Sequence, residues 1–147
     1  MTSDYLKPIP RPNEVSKTYW HGTARREILL QKCKDCDNIQ YYPRPLCTKC
    51  FSQDLSWIRA SGRGTVHTFS VIYQNIQPGF VDEPPYVLAV VELEEGPRMT
   101  TNILNCAPQD VYIGMPVEMT FQYITPEVWL PQFKPRASGS MKRRSKK

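Results

Sequence analysis

The chain has 147 residues, 40% hydrophobic and 22% charged, enough for one ordinary globular domain with a small appendage and too short for two domains with full cores. Its net charge of +5 raises a nucleic-acid partner, but Lys142, Arg143, Arg144, Lys146 and Lys147 all fall within residues 137–147, leaving 14 bases against 14 acids before them. No run of about 18 apolar residues is present, and residues 1–12 lack the apolar stretch of a secretory signal, so the expectation is a cytoplasmic protein without a membrane span.

Taken in chain order, Asn13 is placed to cap a helix running to about Thr23, with Val15, Tyr19 and Trp20 on one face and Gly22 at its end. A short strand over residues 28–31 leads into Cys33. Four of the five cysteines then follow as C-x2-C, ten residues, C-x2-C, namely Cys33, Cys36, Cys47 and Cys50. A two-residue gap lets both thiolates of a pair turn toward one ion, and two pairs complete a tetrahedral sulfur shell, which suits zinc. An iron site with the same sulfurs and a pair of disulfides are the alternatives, and the missing secretory signal weighs against the disulfides. With all four positions filled by protein, no coordination site stays open to water or substrate, so the metal reads as structural. In zinc-finger peptides such binding supplies roughly 10–16 kcal/mol of apparent free energy. Asp37 and Asn38 follow the first knuckle, where a sharp turn favours residues that tolerate left-handed backbone. Residues 41–45 form a stiff aromatic-proline bridge, and residues 57–60 lead out of the knob. Cys106, without a partner, reads as an ordinary thiol.

From Thr65 onward the pattern changes to a period of two. Phe69, Val71 and Tyr73 share a face, as do Val87, Ala89, Val91 and Leu93, and as do Val117, Met119, Phe121 and Tyr123. Residues 99–104 and 129–133 add two more strands, and Glu94, Glu95 and Gly96 turn a hairpin. Five strands in so short a span predict a small closed barrel of the OB type, because closure removes exposed strand edges. The irregular stretch between Tyr73 and Pro85 displays Ile76, Phe80 and Val81, either as a contact surface or folded back over the barrel mouth. His21 and His67 fall in no catalytic pattern, and the sequence has neither a phosphate-binding glycine loop nor a nucleophile motif. The Ser/Gly/Lys/Arg composition of residues 137–147 predicts a disordered basic tail.

The Tyr19-Trp20 helix, the ribbon with Tyr42-Pro43-Arg44-Pro45-Leu46-Cys47, and the stretches over residues 85–96 and 113–117 together resemble the zinc-ribbon plus OB-fold family called domain of unknown function 35. The resemblance extends to about Arg136. It implies a mainly β chain in four parts: an N-terminal helical segment (1–26), a four-cysteine zinc ribbon (27–59), a five-stranded OB-type barrel (60–136) and the basic tail (137–147). It also implies a non-catalytic accessory subunit of a thiolase-like acyl-CoA enzyme, a β-ketothiolase or an aldolase in the degradation of aromatic or steroid-like acids, with the CoA thioester bound mainly by the partner. Tyr19, Trp20, Ile76, Phe80 and Val81 are then the expected partner contacts, since buried aromatic anchors dominate interfaces. The competing reading is a single-stranded nucleic-acid binder, which also uses OB barrels and ribbons but needs a basic groove that a neutral body does not supply.

Overall fold

In the computed structural model, which describes residues 6–136, the chain runs from one helix into a three-stranded sheet and then into a five-stranded barrel. The basic tail expected at residues 137–147 lies outside the described residues. Among the described residues, no helix is long and apolar enough to cross a membrane.

The helix α1 (Lys17–Ala24) is shorter at its start than the sequence suggested. Asn13 does cap, but it caps the turn before the helix. Its Oδ1 accepts hydrogen bonds from the Val15 and Ser16 amides at 3.0 and 2.9 Å, and its carbonyl accepts one from Lys17. The helix also runs through Gly22 rather than ending there. A Cβ on Gly22 would sit 2.8 Å from Leu29 Cγ, so the glycine allows close packing on the next strand, and Arg26, with φ of 61°, makes the left-handed stop instead. Thr23 pins the helix to the barrel: its hydroxyl donates to Trp20 O at 2.8 Å and accepts the Trp129 amide at 3.3 Å.

Strands β1 (Leu29–Cys33), β2 (Ile39–Gln40) and β3 (Leu55–Arg59) form an antiparallel sheet in the order β2-β1-β3. Strands β4 (Arg63–Ile72), β5 (Tyr86–Leu93), β6 (Arg98–Ile103), β7 (Pro116–Thr125) and β8 (Val128–Pro135) close into a barrel in the order β4-β5-β6-β8-β7, with only the β6–β8 pair parallel. Its core holds Val66, Val87, Val91, Met99, Val117 and Phe133, all under 3% exposed, and is continuous with Tyr19, Trp20 and Leu30 from the helix and ribbon.

Two β-bulges correct the simple alternation. In β4 the register shifts between Val66 and Thr68, so Gly64 and Val66 face inward before the bulge, Phe69 and Val71 after it, and His67 is turned out to solvent. Tyr73 falls past the strand end and is exposed, so it does not share the face of Phe69 and Val71. In β7 the shift falls between Tyr123 and Thr125, beyond the row from Val117 to Tyr123; Ile124 at the bulge is buried, while Tyr123, in register with Trp129, is exposed at the end of the row and packs edge-on against it, ring centroids 5.2 Å apart.

Candidate metal centre

The four cysteines converge from two turns built alike. Cys33 ends β1, and its amide bonds Asn38 O at 2.9 Å; fourteen positions on, the Cys47 amide bonds Ser52 O at 2.9 Å. The Asp37 and Phe51 amides return to Cys33 O and Cys47 O, both at 3.0 Å. Asp37 and Phe51 are both left-handed, with φ of 63° and 66°. In each turn the backbone also donates into sulfur: Asp35 N to Cys33 Sγ at 3.4 Å, Lys49 N to Cys47 Sγ at 3.3 Å. The second cysteine of each turn, Cys36 and Cys50, reaches toward the other pair.

All four sulfurs lie within 4.8 Å of one another, with Cys33–Cys50 at 3.5 Å and Cys36–Cys47 at 3.6 Å. A tetrahedron with metal–sulfur bonds of about 2.3 Å has edges of about 3.8 Å, so the donor set matches a tetrahedral thiolate site. The electrostatics point the same way. Amides of Cys50 and Lys49, with help from neighbouring sulfurs, lower the Cys47 thiol to about 6. At Cys50 the Ser52 amide pulls down, but the Cys33 sulfur, burial and the sulfurs of Cys36 and Cys47 outweigh it and push the thiol up to about 12. Sulfurs this close carry full negative charge together only around a cation. Neither His21 nor His67 approaches the cluster: among the described residues it is composed of the four cysteines alone, and Cys106 stands apart from it.

Two glutamines, absent from the sequence-based site, lock the ligand loop in place. Gln31 and Gln40 are direct cross-strand partners, both buried, with Gln40 Nε2 donating to Gln31 Oε1 at 2.8 Å. Gln31 Oε1 accepts the Arg44 amide and its Nε2 donates to Arg44 O, each at 2.9 Å, while Gln40 Oε1 accepts the Thr48 amide at 2.9 Å. The signal was available, since Gln31 shares a strand face with Cys33 two residues on and so points at the knuckle loop.

The expected partner contacts divide. Tyr19 and Trp20 are 1% and 5% exposed, in an edge-on cluster with Tyr41 and Tyr42, so they are core and offer no docking surface here. Burial also pushes the Tyr19 hydroxyl well above its ordinary range. Ile76 and Val81 stand out at 80% and 61% exposure, whereas Phe80 folds back against Tyr86, ring centroids 6.3 Å apart.

Comparison with known proteins matches two family models in succession along the chain. Residues 20–56 match the ChsH2 rubredoxin-like zinc ribbon domain and residues 57–122 the ChsH2 C-terminal OB-fold domain. A DUF35 domain-containing scaffold protein of Methanocaldococcus jannaschii is 38% identical over 121 residues, 81% of this chain and 84% of that protein. A probable enoyl-CoA hydratase alpha subunit of Thermomonospora curvata is 36% identical over 130 residues, 88% of this chain; the chain spans only 40% of its length. The benzoylsuccinyl-CoA thiolase subunit BbsA of Geobacter metallireducens is 35% identical over 68 residues, 46% of this chain and 44% of that one. Among solved structures, the Ltp2-ChsH2(DUF35) aldolase superposes with a TM-score of 0.77 at 35% identity, covering 86% of this chain and 98% of the other.

Proposed function

The chain belongs to the DUF35 family of ChsH2-type zinc-ribbon and OB-fold proteins, and on that premise we propose that it is a non-catalytic accessory subunit docked on a thiolase-like acyl-CoA enzyme. The observation that carries this reading is the closed set of four protein sulfurs at Cys33, Cys36, Cys47 and Cys50. Zinc held there has no open position for a substrate, so it braces the knob, and the chain's contribution to a reaction is one of assembly and shape. In this reading residues 27–59 are the braced knob and residues 60–136 the barrel, working in the cytoplasm.

The partner is a β-ketothiolase or an aldolase acting on aromatic or steroid-like acyl-CoA, which it binds itself while this chain helps shape the channel. The names of the aldolase and thiolase relatives support that class. The exposed apolar pair Ile76 and Val81, in the loop between β4 and β5, supplies the docking surface. Co-expression with a thiolase-like protein from the same genome tests this. A stable heteromer is expected, whose acyl-CoA turnover falls when this chain is omitted and whose affinity falls at least about tenfold in the Ile76→Ser/Val81→Ser double variant. Full activity of the partner alone would overturn the reading.

A further inference from the structure

The four cysteines are unequally open to solvent. Cys33 and Cys47, the first of each turn, are 0% exposed, whereas Cys36 is half-buried and Cys50 is exposed. The closest sulfurs join one of each kind across the turns: inner Cys33 with outer Cys50 at 3.5 Å, and inner Cys47 with outer Cys36 at 3.6 Å. Ligation keeps all four as thiolates, so accessibility decides which one a small oxidant meets first. That residue is Cys50, and its nearest sulfur belongs to a shielded thiolate able to resolve it. Closing either pair to a disulfide of about 2.05 Å brings the sulfurs together by only about 1.5 Å.

We propose that the ribbon is also a site of oxidative modification by a hydroperoxide, in which Cys50 closes on Cys33 and Cys36 on Cys47, so that the chain gives up its metal. The Cys50 thiolate attacks one peroxide oxygen; the O–O bond breaks, hydroxide leaves, and Cys50 becomes a sulfenic acid. The Cys33 thiolate then attacks the Cys50 sulfur, expels a second hydroxide and forms the S–S bond. Each bridge thus takes two electrons from two thiolates, reduces one peroxide to two hydroxides, and needs no other reactant. Cys36 and Cys47 repeat the sequence with a second peroxide. A bridged sulfur no longer ligates as a thiolate, so the first bridge removes half of the donor set. The inference rests on the metal reading above and is independent of which partner the chain takes.

The test uses the full metal-loaded chain and hydrogen peroxide in about tenfold excess. Remaining thiols are blocked, the chain is cut with trypsin without reductant, and the peptides are weighed. Cleavage after Lys32, Lys34, Lys49 and Arg59 yields peptides 33–34, 35–49 and 50–59, because Arg44 precedes Pro45 and resists. The proposed pairing joins 33–34 to 50–59 and leaves 35–49 closed on itself, whereas either other pairing of four cysteines ties all three peptides into one mass. Metal captured by a chromogenic chelator is expected to appear in step with the first bridge, and a dithiol reductant with added zinc to restore the loaded chain. In a brief exposure with dimedone present, the sulfenic acid is expected on peptide 50–59 ahead of 33–34, while Cys106, which stands outside the cluster, stays open to alkylation. One mass holding all three peptides, metal and free thiols retained throughout, or Cys106 oxidised as fast as the cluster overturns the proposal. A chain that folds without metal before any peroxide is added overturns the metal reading, and this inference with it.

Discussion

The ribbon and the barrel both hold short strands in register, but by opposite means. The barrel spreads the work over many contacts: Val87, Ala89, Val91 and Leu93 from one strand alone are each 2% exposed or less, facing Met99, Val117 and Phe133. The ribbon has few large apolar side chains between Cys33 and Cys50, and the residues it buries there are Cys33, Cys47, Gln40 and Pro43. One region is therefore redundant and the other concentrated. Losing a single contact should wound the first and dismantle the second.

The largest expected effect follows from that concentration. In Cys36→Ser or Cys47→Ser, or on stripping the metal with a strong chelator, the zinc content should fall from one per chain to zero. NMR signals of residues 29–59 should collapse to disordered positions while those of the barrel strands stay dispersed. A variant that keeps stoichiometric metal and a folded ribbon would end the distinction between the two regions. The barrel counterpart is Phe133→Ala, which empties a fully buried position and should cost about 3–5 kcal/mol, read as a lower midpoint of thermal or denaturant unfolding with the metal retained until the barrel itself melts. Simultaneous loss of metal and barrel signals in both variants would show the two regions to be one cooperative unit.

The same contrast governs what could be read from the sequence. The C-x2-C pairs were legible because ligation demands particular residues at fixed spacing, and the row from Val87 to Leu93 because alternation is a period that burial enforces. The burial of Ile124 was not legible for a different reason. A bulge adds one residue to a strand without leaving a composition signal, and side chains beyond it change face, as Ile124 does after Tyr123 and as Phe69 and Val71 do after Val66. Phe51 shows a second blind spot: a bulky aromatic in left-handed backbone is rare, so the second turn gave no sign that it copies the first at Asp37. Tyr19 and Trp20 had the composition of interface anchors, but aromatic rings that favour interfaces equally favour cores, and only the packing against Tyr41 and Tyr42 decides between them.

The smallest expected effect concerns the seam where the ribbon hands over to the barrel. Arg63 at the start of β4 holds Glu94 through two nitrogens, at 3.0 and 3.1 Å, Arg136 adds a contact at 3.7 Å, and the neighbouring Glu95 accepts the Ser61 amide at 2.7 Å. The hydrogen bonds from Arg63, and then from Ser61, hold the Glu94 carboxyl below its ordinary 4.5. A carboxyl lowered in the folded state stabilises the fold above its unfolded value and ceases to do so as pH falls through the lower folded value. Glu94→Gln should therefore lower the thermal midpoint of the barrel by a few degrees at most near neutral pH, because the pair is open to solvent and screened, and the gap from the unaltered chain should close as pH drops below about 4. Referring each pH to the unaltered chain cancels the acid loss of metal from the ribbon. A gap that persists unchanged well below that pH would show that Glu94 acts at the seam through its shape and hydrogen bonds, with its charge contributing nothing.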